Sequence, residues 1–243
     1  MPFQYVDNPQ LFSEGIRQVS ATFCRDLWMS VNSTEASTYM FAVGNASVRR
    51  KSEYVAGRRC AIRALEMYLG SGSLNPGIVG TGQYRMPIWP RGTVGSITHT
   101  GGFASAAVSG SDRVRSLGLD SEELISREQA LELGPSIGCK DEIERITAIY
   151  ASREDVGLTV LFSAKESLFK CLFPMTFVYF DFRDARLVEA NATDGSITLE
   201  LNIDLSADFR RGWRATGSVQ IGLPYVHTGF VLPHSCPRTN MDP

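Results

Sequence analysis

Three short stretches hold residue types whose spacing suits charge-driven chemistry. In Leu117-Gly118-Leu119-Asp120-Ser121-Glu122 the apolar residues read as a strand. Asp120 and Glu122 then point to one side, because side chains alternate along a strand. Two carboxylates on one side repel, and they call for a cation, a shared proton or full solvation. Mg2+ suits such a pair, since it takes one or two carboxylates and completes its shell with substrate phosphates and water. Further on, Phe162-Ser163-Ala164-Lys165-Glu166-Ser167-Leu168-Phe169-Lys170 lies in a run from Asp155 to Phe173. That run reads as a helix capped by Asp155 and stopped by Pro174. Leu158, Leu161, Phe162, Leu168, Phe169 and Leu172 make one apolar stripe, with Lys165 inside it and Glu166 at its edge. A charge in such a stripe is costly unless it snorkels out or meets a counter-charge. Glu166 and Lys170, four apart, form an ordinary surface ion pair on one reading and part of an anion site on the other.

The third stretch is Gly95-Ser96-Ile97-Thr98-His99-Thr100-Gly101-Gly102, followed by Phe103–Ser109. It reads as two strands meeting at a Gly-Gly turn, with His99 at a rim where main-chain N–H groups are open to an anion. Upstream, a helix from about Ala46 to Leu69 carries Arg49, Arg50, Lys51, Arg58, Arg59 and Arg63, either a solvated basic face or an anion-binding one.

The elements that must position these groups are unevenly legible. A helix near Pro9–Val19 and a strand near Thr22–Trp28 are expected first. Gly70-Ser71-Gly72-Ser73 breaks the basic helix. Ser126-Arg127-Glu128-Gln129 has the form of a capping box. A helix over Asp141–Tyr150 follows, with Ile143, Ile146 and Tyr150 on one face, and then strands over Thr176–Phe182, Ser196–Ile203, Trp213–Ile221 and Val226–Leu232. The last ten residues read as a loose tail.

The chain has 243 residues, 43% of them hydrophobic, enough for one large domain or two small lobes. A net charge of −2 gives no footprint for nucleic acid. The N-terminus has no basic segment followed by an apolar run, and no stretch is apolar enough to span a membrane, so a cytoplasmic location is expected. The five cysteines are scattered, with no C-x-x-C pair, so neither a zinc site nor a disulfide framework is expected.

Taken in order, G-S-I-T-H-T, L-G-L-D-S-E and F-S-A-K-E-S-L-F-K resemble the pattern of the 4′-phosphopantetheinyl transferases. G-R-R-C-A-I-R-A-L (Gly57–Leu65) and P-I-W-P-R-G-T-V-G-S (Pro87–Ser96) resemble the enterobactin-synthase component D branch of its larger, surfactin-type class. The resemblance covers roughly half the chain, Val48 to Phe173, with Glu166 46 residues on from Asp120. It implies an α/β (α+β) fold of two pseudo-twofold-related lobes in one chain. Residues 1–116 would bind coenzyme A, and residues 117–243 would carry the Mg2+ site and the catalytic helix. The implied reaction moves the phosphopantetheine arm of coenzyme A to a serine of an acyl or peptidyl carrier protein, leaving adenosine 3′,5′-bisphosphate. Peptide, polyketide and fatty-acid synthases supply such carriers, siderophore pathways among them, and a monomer is expected.

Residue by residue, the resemblance makes Asp120, Glu122 and Glu166 the metal ligands, with Glu166 also the candidate base. Lys165 and Lys170 fall beside the diphosphate, where substrate would supply the counter-charge of Lys165. Thr98 and His99 match the phosphate-contacting pair, and Arg50 (or Arg49), Arg58 and Arg85 fall where basic residues meet coenzyme A. Carrier docking is expected within Leu124–Tyr150, among Leu124, Ile125, Leu131, Leu133, Ile137, Ile143, Ile146 and Ile149. Two other readings compete: a coenzyme A-binding module without turnover, and another Mg2+-dependent nucleotide enzyme. No G-x-x-x-x-G-K-[ST] loop is present to favour the latter.

Overall fold

The computed structural model describes residues 1–70 and 78–234. Two antiparallel sheets, each carrying one long helix, make an α+β architecture. The first sheet has the order β1-β2-β6-β5, from Phe3–Val6 (β1), Arg17–Phe23 (β2), Thr93–Thr100 (β5) and Phe103–Gly110 (β6). Ser33–Val43 (α1) and the 22-residue Val48–Leu69 (α2) accompany it, with a small ribbon of Gly80–Thr81 (β3) and Pro87–Ile88 (β4) beside them. The second sheet has the order β7-β11-β10-β9-β8. Its strands are Val114–Glu123 (β7), Ala185–Asn191 (β8), Ser196–Leu201 (β9), Arg214–Gly222 (β10) and Tyr225–Pro233 (β11). Of the helices Arg127–Ile137 (α3), Lys140–Ile149 (α4) and the 23-residue Glu154–Thr176 (α5), α5 packs on it, α4 against α5 and β8, and α3 against α5.

Small residues set how closely these layers approach. β6 is buried along its whole length, and its Ala104 and Ala106 share a core cluster with Ala56, Cys60, Ala61 and Ala64 of α2. A Cβ on Gly57 would lie 2.8 Å from Ile97 Cγ2, so a larger residue would push the helix off β5. At Gly118 a Cβ would collide with the Ser167 carbonyl oxygen, so that glycine brings β7 against α5.

The sheets meet edge to edge without a main-chain ladder. Ser96, Thr98 and Thr100 share one face of β5, and their hydroxyls accept the main-chain N–H groups of Leu119 (3.0 Å), Ser121 (3.0 Å) and Glu123 (3.5 Å). The constant separation of 23 residues means that β5 and β7 run parallel. Side-chain oxygens here do the work that strand carbonyls do within a sheet. Leu11, Ala107, Val114, Leu117 and Leu119 form an apolar cluster beside this seam, with Phe12 and Ile16 against it. At its other end Phe103 packs on His227 and Tyr225, with ring centroids 4.9 and 5.2 Å away.

Several expectations need correction. Pro9–Val19 is not a helix; β2 begins at Arg17 and ends at Phe23, and a 3-10 turn occupies Leu27–Ser30. Buried Val19, Ala21 and Phe23 alternate with period two, which is a strand pattern. α5 has no side-chain cap at its start, and Asp155 lies in the first turn; the helix continues through Pro174 to end at Thr176, capped by the left-handed Phe177. Thr176–Phe182 is not a strand, whereas the unexpected β8 follows it. The Gly101-Gly102 turn, the Ser126/Gln129 capping box and the α4 helix are present as expected. Residues 71–73 of the expected helix break and 235–243 of the expected tail lie outside the described residues. Among the described residues, Cys24, Cys60, Cys139 and Cys171 form no disulfide, and no described helix is long and apolar enough to cross a membrane.

The seam makes stability depend on pH. Burial holds the His227 imidazole near pKa 4, below its ordinary 6.5, with the Asp120 charge opposing. The unfolded chain therefore binds a proton that the folded chain refuses between about pH 6.5 and about pH 4, so stability is full above this window and falls through it. Denaturant titrations across the window should show that fall, and His227→Gln should make it shallower. An identical slope in the variant would remove His227 as a cause.

Candidate active site

Asp120 and Glu122 stand on one face of β7, as strand alternation requires, and α5 lies across that face. Asp120 is 1% exposed. Its Oδ1 accepts from Lys170 Nζ at 2.5 Å and Thr98 Oγ1 at 3.2 Å, and its Oδ2 accepts from Ser163 Oγ at 2.8 Å. Glu122 accepts from Thr100 Oγ1 at 3.3 Å. Ser163, Ser167 and Lys170 recur along α5 at helical spacing and so face β7 together, with Glu166 between them.

The electrostatics are those of a carboxylate cluster short of positive charge. Burial and then the Asp120 charge push Glu122 up to about 8, against Lys170 and the Thr100 hydrogen bond. Burial, with a lesser push from Asp120, raises Glu166 despite Lys170. Burial works to lower Lys170, but Asp120, Glu166 and Glu122 together outweigh it and hold its ammonium above the ordinary lysine range. Among the described residues, no three His, Cys, Asp or Glu side chains already converge as a metal cage. A hard divalent ion nevertheless fits the donor chemistry. Two carboxylates raised in pKa by burial and by the Asp120 charge favour an added cation, and Mg2+ needs few protein ligands when phosphates complete its shell.

Lys165 departs from expectation. It is 2% exposed, and its Nζ donates to Glu142 Oε1 at 3.0 Å and to the Ile137 carbonyl at 2.9 Å. Five helical residues rotate by about 500°, which leaves Lys165 about 140° from Lys170, so the two lysines cannot share one face. The counter-charge of Lys165 in this structure is Glu142, which the sequence did not indicate. Glu142 also accepts from the N–H groups of Leu187 (2.7 Å) and Cys139 (3.0 Å), which joins α4, α5 and β8. Sequence reasoning missed Glu142. The available signal was its position four residues before Ile146, which puts a carboxylate on the apolar face of α4.

Thr98 and His99 also separate, because neighbours on a strand face opposite ways. Thr98 is 3% exposed and committed to the seam, so it and His99 do not line one pocket. His99 faces α2 and lines an open pocket with Arg50, Tyr54, Arg58, Thr81 and Arg85. Arg50 donates to His99 Nε2 at 3.0 Å, which places the ring proton on Nδ1, 3.8 Å from Glu53. Burial and then the Arg50 charge hold His99 near pKa 4, with Glu53 opposing. Arg58 is 5% exposed; it donates to the Gly80 carbonyl (3.0 Å) and Thr81 Oγ1 (2.9 Å), lies over the Tyr54 ring, and leaves a buried Nε without a partner. Arg49 turns to Glu53 and does not line this pocket, so of the two adjacent arginines Arg50 is the one that does.

A second pocket opens beside Lys165 and Glu166, walled by Phe169, Tyr179, Phe180 and Phe182. Of the residues expected for docking, Leu131 and Leu133 are 69% and 40% exposed, while Ile125, Ile137 and Ile146 are buried. Leu124, Ile143 and Ile149 are partly buried against the second core.

Two family profiles match the chain: the 4′-phosphopantetheinyl transferase N-terminal domain over residues 39–109, and the 4′-phosphopantetheinyl transferase superfamily over residues 116–223. Enterobactin synthase component D of Salmonella typhi is 37% identical over 201 residues, covering 80% of each chain. The 4′-phosphopantetheinyl transferase PptT of Mycobacterium tuberculosis is 32% identical over 205 residues, 78% of this chain and 82% of the relative. The 4′-phosphopantetheinyl transferase Svp of Streptomyces mobaraensis is 39% identical over 149 residues, 60% of this chain and 57% of the relative. With its carboxylates, seam and basic pocket arranged between two such matched halves, the chain belongs to the 4′-phosphopantetheinyl transferase family.

Proposed function

We propose that this chain transfers the 4′-phosphopantetheine arm of coenzyme A to a serine of an apo carrier protein in an Mg2+-dependent reaction, using residues 1–116 and 117–243 as two lobes around one cleft. The observation that carries the reading is the convergence of Asp120, Glu122, Lys170 and Glu166 where the two sheets meet. Asp120, Glu122 and Glu166 would hold the ion, which when bound neutralises diphosphate charge and aligns the reacting phosphate. Arg50, Arg58, Arg85 and His99 take the phosphate groups of coenzyme A, supported by the unpartnered Arg58 Nε beside that pocket. The serine oxygen forms a bond to the β-phosphorus as the bond to the adenosine bisphosphate oxygen breaks, and Glu166 accepts the serine proton directly or through water. A half-buried carboxylate with raised proton affinity suits that task. Lys170 stabilises charge on the leaving phosphate, whereas Lys165 supports the helix from behind.

Incubation with coenzyme A, Mg2+ and an apo carrier should add one phosphopantetheine to the carrier by mass spectrometry. Chelation, Asp120→Asn or Glu166→Gln should slow this roughly hundredfold or more with circular dichroism unchanged. Coenzyme A binding without any carrier mass gain would favour a non-catalytic module instead, and undiminished rates under EDTA would remove the metal.

Arg50 offers a cleaner test of the basic pocket than Arg58, which also braces the Gly80–Thr81 ribbon. A hydrogen bond to a charged group is worth about 1.5–3 kcal/mol, so Arg50→Ala should weaken coenzyme A roughly ten- to hundredfold. Dephospho-coenzyme A should be nearly unaffected if Arg50 meets the 3′-phosphate. Equal losses for both ligands would move Arg50 to another phosphate.

A further inference from the structure

Asp120 is held from in front and from behind. In front, Lys170 and Thr98 meet Oδ1. Behind, Oδ2 begins a chain of hydroxyls: Ser163 Oγ at 2.8 Å, then Thr228 Oγ1 2.9 Å beyond, then Ser167 Oγ at 2.6 Å. Ser167 Oγ also donates to the Thr228 carbonyl at 3.0 Å. All three hydroxyl residues are fully buried, so no solvent competes for their protons. Thr228 stands directly opposite Asp120 in the β7–β11 register.

The direction of this chain follows from proton counting. A carboxylate only accepts, so Ser163 donates to Asp120. Each hydroxyl has one proton, so the Ser163 oxygen accepts from Thr228 across their 2.9 Å contact, while the Ser167 proton is shared between the carbonyl and Oγ1 of Thr228. Hydroxyls aligned in one direction polarise one another, and the last donor in the row becomes the strongest.

We propose that Thr228 is a positioning residue: its hydroxyl polarises Ser163, which holds Oδ2 of Asp120 turned into the protein and leaves Oδ1 facing the cleft. The inference rests on the reading above in which Asp120 helps bind a divalent ion. Thr228 lies outside the three sequence blocks and beyond the matched span 116–223, so neither assigns it a task.

Two substitutions separate the hydroxyl from the space it fills. Thr228→Val keeps the volume and loses the hydroxyl; Thr228→Ser keeps the hydroxyl and loses a methyl group. Mn2+ serves as the probe, titrated into the full chain with coenzyme A present and followed by the electron paramagnetic resonance of free Mn2+. One lost hydrogen bond should weaken Mn2+ binding by Thr228→Val roughly three- to tenfold. The Mg2+ needed for half-maximal carrier loading should rise in parallel, with the coenzyme A KM unchanged. Thr228→Ser should stay close to the parent in both readings. The reverse order, with Ser impaired and Val normal, would show a packing role only, and equal Mn2+ binding by all three proteins would also overturn the proposal. Should Thr228→Val fail to fold, Ser163→Ala breaks the same chain one step nearer Asp120 and must weaken Mn2+ binding at least as much. A parent that binds no Mn2+ would remove the metal reading itself. The inference would then stand or fall on whether Val, and not Ser, slows carrier loading.

Discussion

The contact on which the rest depends is the row of hydroxyls from Ser96, Thr98 and Thr100 onto the exposed edge of β7. A strand edge presents unpaired N–H groups that must find acceptors once buried. Here β5 turns one side-chain face toward that edge and supplies them. Thr98 and Thr100 then donate their own hydroxyl hydrogen bonds to Asp120 and Glu122. The interaction that joins the sheets is therefore also the one that aims the carboxylates. Its cost if broken is that of an unpaired buried donor, about 1–3 kcal/mol, which is a large share of a domain's net stability.

A second constraint acts from the far side of α5. The Lys165–Glu142 pair is almost dry, and deleting one partner of such a pair costs about 3–5 kcal/mol because the other charge is stranded. Burial depresses Lys165, with Glu142 opposing, while the depression of Glu142 comes from Lys165 and two main-chain N–H groups outweighing burial. Both trends describe one ion pair that fixes the rotation of α5. With α5 so fixed, Ser163, Glu166 and Lys170 face β7, and the two lysines of one short motif have different tasks.

Legibility followed the range of the interactions. The Gly101-Gly102 hairpin, the Ser126 capping box and the Asp120/Glu122 alternation are local and were readable from the letters. The long α2 and α5 were readable from their periodicity, although Pro174, falling in the last turn, ended α5 later than expected. Pro9–Val19 was misread because its apolar residues suit a helix until β6 offers β2 a pairing edge. The partners of Lys165 and Thr98 were invisible for a stronger reason. Each lies at least 22 residues away, and only the packed fold decides that one lysine meets Glu142 or that a threonine bridges two sheets. Thr228, 65 residues from Ser163, is the extreme case.

Amide hydrogen exchange, read residue by residue on the parent and on Ser96→Ala, tests the seam most directly. The account predicts that Leu119 and Ser121 N–H exchange in the parent as slowly as their neighbours Gly118 and Asp120, whose edge pairs with β11. In Ser96→Ala, Leu119 should become fast while Ser121, still held by Thr98, stays slow. Rapid exchange of both Leu119 and Ser121 in the parent would contradict the hydroxyl seam and the carboxylate placement that depends on it.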